Sequence, residues 1–117
     1  MDEKLIKKFH VTKGNIFSNL YFNFIYFLIS NICIYKNKKV LDFGGGLGFL
    51  KKRLIKKGAK VKIYEIIKEL TEVHNYKEFK FDIIIFCQVL MYIKKEDVKQ
   101  IFEYLSKQKN ITLVTCF

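Results

Sequence analysis

The stretch Val40-Leu41-Asp42-Phe43-Gly44-Gly45-Gly46-Leu47-Gly48-Phe49-Leu50 constrains this chain more than any other. An apolar run rises to an acid, four glycines follow between positions 44 and 48, and a leucine-spaced segment then begins. Glycine is used where the backbone must take a positive φ or come close to another group. Such a loop, between a strand and a helix N-terminus, predicts a small-molecule site at the carboxyl end of an open parallel sheet.

The spacing Asp42-x-Gly44-x-Gly46-x-Gly48 discriminates among ligands. A dinucleotide fingerprint reads G-x-G-x-x-G, and Phe49 stands where its third glycine belongs. Asp42 is the stronger objection. A carboxylate near a pyrophosphate repels it by about 4 kcal/mol at 4 Å and an effective dielectric near 20. That is about a thousandfold in affinity. A P-loop is excluded because no Gly-Lys-Ser/Thr follows. A ligand with no phosphate and with positive charge suits the acid; S-adenosylmethionine has a sulfonium and an ammonium.

The chain resembles the class I S-adenosylmethionine-dependent methyltransferases over residues 36–117. Asp42-Phe43-Gly44-Gly45-Gly46-Leu47-Gly48 is similar to their first motif. Lys60-Val61-Lys62-Ile63-Tyr64-Glu65 is similar to their second strand, which ends in an acid. Residues 81–93, with Cys87-Gln88 at their centre, are similar to the fourth strand and its loop. The resemblance implies a cofactor site. Gly44 and Gly46 let the backbone approach, with Phe43, Gly45 and Gly48 completing the loop. Asp42 sits near the methionine ammonium through water. Glu65 accepts both ribose hydroxyl hydrogens, Ile66 packs on the adenine, and Cys87 with Gln88 closes the methionine end. No catalytic residue is nameable.

With 117 residues, the expectation is one domain: a helical segment over residues 1–35 and an α/β core over 36–117. Net charge is +11, and Arg53 is the only arginine. The basic residues are spread along the chain, without the arginine clusters and interleaved aromatics of a nucleic-acid groove. Cys33, Cys87 and Cys116 form no C-x-x-C, which predicts reduced thiols in a cytoplasmic protein. His10 and His74 lack ligand spacing, so no metal site is readable.

Residues 1–13 are polar and charged, and His10 with the nearby tyrosines is a candidate lid. Residues 14–35 carry no charge. They read as a mostly buried helix packing on the sheet, with Leu20, Phe24, Leu28 and Ile32 on one face; a membrane anchor is the alternative. Leu47, Leu50 and Leu54 fall at helical spacing, and Gly58 closes that helix. The second strand alternates with Lys60 and Lys62, the protection typical of a sheet edge. Residues 66–80 leave room for one short helix, with Ile66, Leu70 and Val73 inward, and for no third strand. Residues 81–86 read as a buried central strand, 95–107 as a helix with Val98, Ile101, Phe102 and Leu105 inward, and 111–117 as a last apolar strand.

The predicted fold is therefore α/β: a minimal, doubly wound, mostly parallel sheet of the Rossmann-like methyltransferase type. Its four strands run in the order 2-1-4-5 by family numbering, with helices on both faces. The last strand is an exposed apolar edge that invites a homodimer or a partner subunit. The expected activity is methyl transfer from S-adenosylmethionine to a small molecule or a protein. A chain without proline has no Asn-Pro-Pro-Tyr element of the nucleic-acid N-methyltransferases. The alternatives are an inactive methyltransferase-like partner subunit and a basic nucleic-acid-binding module.

Overall fold

Ile83-Ile84-Ile85-Phe86 offers no polar side chain to either face of a sheet, and it forms an interior strand whose four residues are all buried. It belongs to a computed structural model that describes residues 16–116. The chain divides into two units, one ending at Ile34 and the other beginning at Tyr35. Residues 1–13 and the candidate lid at His10 lie outside the described residues.

The first unit contains α1 (Ile16–Ile32). Apart from a narrow polar stripe of Asn19, Asn23 and Ser30, the helix is apolar around most of its circumference, so its sequence does not single out one apolar face to be hidden. Ile29 and Ser30 are buried, and Ser30 Oγ donates to the Phe27 carbonyl at 2.9 Å. The face expected to be mostly buried is instead exposed: Leu20 by 62%, Phe24 by 58%, Leu28 by 46% and Ile32 by 68%. Among the described residues no helix is long and apolar enough to cross a membrane.

The second unit is α/β. Its elements are β1 (Lys39–Phe43), α2 (Phe49–Lys56), β2 (Lys60–Tyr64), β3 (Ile83–Cys87), α3 (Lys95–Ser106) and β4 (Thr112–Cys116). All four strands are parallel, in the order β2-β1-β3-β4. Along the chain this reads 2-1-3-4, where the family numbering reads 2-1-4-5. The difference is the third strand, of which residues 65–82 contain none.

Register pairs Leu41 with Ile84 and Phe43 with Phe86 on one face. There they form a core with Phe81 and with Ile101 of α3. Side chains alternate along a strand, so Val40 and Asp42 turn to the opposite face, with Val61, Ile63, Ile83 and Ile85. The start of α2 lies on that face, since a Cβ on Gly48 would stand 3.4 Å from Ile63 Cδ1. Leu50 and Leu54 of α2 are buried. Leu47 precedes the helix and is 48% exposed, so it does not share the leucine stripe.

The connection between β2 and β3 departs from expectation. It has no α-helix, only a 3₁₀ turn at Tyr76–Glu78. Asn75 opens that turn by accepting from the Lys77 N–H at 3.0 Å. Thr71 and Glu72 spend their side chains on β2 instead of supporting a helix. Ile66 is 58% exposed and Ile67 is buried in its place. Asp82, the one polar interruption before β3, accepts from the Lys39 N–H at 2.9 Å and so anchors the start of β1.

Candidate functional site at the carboxyl end of the sheet

Parallel pairing brings the ends of β1 and β2 together, and the Gly44 N–H donates to the Tyr64 carbonyl at 2.7 Å. From there the glycine loop turns into α2, with φ of +78° at Gly44, +58° at Gly46 and +84° at Gly48. Gly44 is also confined by packing: a Cβ there would collide with the side chain of Val89. Gly46 is different, because a Cβ at that position would meet nothing within 4 Å. The loop is therefore tight on one side and open at Gly46.

Two carboxylates flank the loop. Asp42 is 1% exposed, and a Cβ on Gly45 would stand 2.6 Å from its Oδ2, so the acid lies directly beneath the loop. Glu65 follows β2, where Oε2 accepts from the Gly46 N–H at 3.1 Å and Oε1 accepts from the Ile66 N–H at 3.0 Å. Asp42 and Ile63 are register partners, which is why the two acids converge from neighbouring strands.

The other predicted residues divide. Gly45 and Gly48 lie in the loop as expected. Phe43 reaches it through its backbone alone. Its ring is buried, 4.7 Å from Tyr64, 5.0 Å from Phe86 and 5.8 Å from Tyr76, so its side chain belongs to the core. Ile66 is exposed beside Glu65 rather than packed inward. Cys87 ends β3 half-buried, and Gln88 takes a φ of +54° while its N–H donates to the Cys116 carbonyl at 2.8 Å. That bend directs Val89 onto Gly44, which ties the β3 loop to the glycine loop.

Sequence reasoning missed Val89, Thr71 and Glu72. Val89 sits in an apolar run where nothing distinguishes a loop contact from core. The Thr71-Glu72 pair was a legible polar break inside the supposed helix. Thr71 Oγ1 accepts from the Glu65 N–H at 3.0 Å and donates to the Val73 carbonyl at 2.7 Å, which sets the backbone at Glu65. Glu72 accepts from the Ile63 N–H at 3.0 Å and from Lys51 Nζ at 2.6 Å. Partial burial pushes the Glu72 carboxyl up, but Lys51, the Ile63 N–H and Lys62 together outweigh this and hold it below its ordinary value. Below the site, burial pushes the Tyr76 hydroxyl up, with Tyr64, Tyr104 and Asp97 adding to the effect.

Among the described residues, no three His, Cys, Asp or Glu side chains are placed to hold a metal ion. No protein-family model, curated protein or solved structure matches the chain.

Proposed function

We propose that the chain is a small S-adenosylmethionine-dependent methyltransferase, with a small molecule or a protein as acceptor. The observation that carries this reading is the pair of acids around an open glycine bend: Asp42 beneath Gly45, and Glu65 hydrogen-bonded to the Gly46 N–H. Carboxyl groups on both sides suit a ligand with hydrogen-bond donors or positive charge better than a phosphate-bearing one. A carboxylate has about four lone-pair sites. Glu65 uses two of them on backbone N–H groups, which leaves capacity for two ribose hydroxyls. Exposed Ile66 beside it offers an apolar surface for a base.

The cofactor, when bound, supplies a methyl group on positively charged sulfur. The chain has to orient the donor and the acceptor and exclude water, and this alignment is the main source of rate. Gly46 admits the ligand closely, Asp42 and Glu65 hold its charge and its sugar, and the backbone at Cys87 and Gln88 borders the methionine end. The same reading places the protein in the cytoplasm, where its three cysteines stay reduced.

A second reading, a partner subunit without activity, draws on two of the same contacts. Glu65 already closes the loop onto itself, and Val89 packs where Gly44 turns. Calorimetric titration with S-adenosylmethionine and S-adenosylhomocysteine separates the two readings. Binding by the native protein that falls about tenfold or more in Glu65→Ala supports the methyltransferase, since hydrogen bonds to a charged group contribute about 1.5–3 kcal/mol. Equal affinity in both proteins removes Glu65 from the site. No heat with either compound favours the partner subunit.

A further inference from the structure

We propose that a second copy of this chain pairs antiparallel along the outer edge of β4, joining two four-stranded sheets into one. The inference is independent of the ligand at the glycine loop. It rests on a contrast between the two edges of the sheet.

In a parallel ladder, alternate residues turn both backbone groups toward the same neighbour. On β2 the Lys60 N–H bonds to the Lys38 carbonyl and the Tyr64 carbonyl accepts from Gly44, so Val61 and Ile63 face outward. The chain itself seals that edge at Ile63: its N–H donates to Glu72 Oε1 at 3.0 Å and its carbonyl accepts from the Glu72 N–H at 2.8 Å. Exposed Lys60 and Lys62 add charge to the same edge. Sealing and charging are the usual defences of a strand edge.

Among the described residues, β4 has neither defence. The Thr112 N–H bonds to the Asp82 carbonyl and the Cys116 carbonyl accepts from Gln88, so Thr112, Val114 and Cys116 face β3. The N–H and carbonyl groups of Leu113 and Thr115 therefore point outward, and no described residue bonds to them. The strand carries no charge. Leu113 is 44% exposed and borders a groove of 340 Å³ that also includes Phe102, Leu105 and Ile111.

The occupant follows from the sequence of the edge and the charge of the molecule. Antiparallel pairing about Val114 sets Leu113 opposite Thr115 of the second copy, and the reverse, closing four backbone hydrogen bonds. Val114 then meets its own mate on the axis, and Thr112 meets Cys116. Every cross-strand pair is uncharged and contains a β-branched residue, as strand pairing prefers. A chain of net charge +11 repels its copies elsewhere, but this edge has no charge to repel. The antiparallel arrangement also carries Lys107 and Lys109 of the two copies to opposite ends. The register sets Thr115 of the second copy beside Leu113 at the edge of the groove, and the two-fold axis repeats that contact at the other end of the pair.

The test is sedimentation equilibrium combined with amide hydrogen exchange on the full chain. The expected mass is twice 14.0 kDa at high micromolar concentration. The Leu113 and Thr115 amides should be protected there and exchange faster on dilution, while the Val114 amide changes little. Thr115→Pro removes an outward donor while leaving the donors of the β3 ladder in place, and Leu113→Lys adds a charge to the edge; each should shift the protein to monomer with unchanged circular dichroism. A native monomer across the concentration range overturns the proposal. So does a dimer that persists in both variants, or one that forms without protecting Leu113 and Thr115.

Discussion

The glycines of the loop illustrate how one residue type serves different ends at neighbouring positions. At Gly44 the φ of +78° and the Val89 side chain both exclude a Cβ; at Gly46 only the φ of +58° does. Left-handed backbone costs an L-residue about 1–2 kcal/mol, and overpacking adds about 1–3 kcal/mol. Gly46→Ala should therefore lower stability by about 1–2 kcal/mol, and Gly44→Ala by clearly more. Adding Val89→Ala to Gly44→Ala should recover part of that difference, because the collision goes and the backbone term stays. Urea unfolding of the three variants checks this; equal costs for the two single changes would mean that Val89 does not press on Gly44. In the sequence the glycine spacing was readable, but the partner of Gly44 was not, since it stands forty-five residues away in an undistinguished apolar run.

At the scale of elements, legibility followed hydrophobic pattern. β3 announced itself by an unbroken apolar run and α3 by its stripe at Ile101 and Leu105. The lysines of β2 marked it as an edge, which it is. Pattern failed where polar side chains decide the backbone. Residues 66–80 have helical apolar spacing, yet Thr71, Glu72 and Asn75 bind nearby backbone and leave only a 3₁₀ turn. It failed again in α1, where apolar residues around most of the helix name no inner face. The Glu72 contact makes a prediction for pH. Its carboxyl lies below the ordinary value of 4.5, so its contribution is complete above that value and fades as pH falls through the lowered one. Glu72→Gln should be less stable than the native protein at neutral pH, by under about 1 kcal/mol for so exposed a pair. The gap should be smaller in acid, below pH 4.5, than at neutral pH. Urea titrations at the two pH values measure it; a gap that widens in acid would mean that the Lys51–Glu72 pair does not stabilise the fold.

The molecule as a whole holds a net charge of +11 on 117 residues, and this sets its response to salt. The Lys51–Glu72 pair neutralises one cation at the rim of β2, and salt weakens it. The excess lysines act in the other direction. Folding draws them together, so their mutual repulsion is larger in the native state than in the expanded chain. Raising ionic strength from about 0.01 M to about 0.15 M shortens the screening length from about 30 Å to about 8 Å. That length falls below the spacing of many surface lysines, while the close contact of Lys51 with Glu72 stays within it. Repulsion is thus screened more than attraction, and salt should stabilise the fold. A gain of about 1 kcal/mol corresponds to a rise of about 4–8 °C in melting temperature for a domain near this size. Sodium chloride serves as the salt, at a protein concentration low enough for the chain to sediment as a monomer at both ionic strengths, so that self-association does not enter. A melting temperature that is flat or falls over this range would show that paired charges, not the lysine excess, govern the electrostatics of the folded chain.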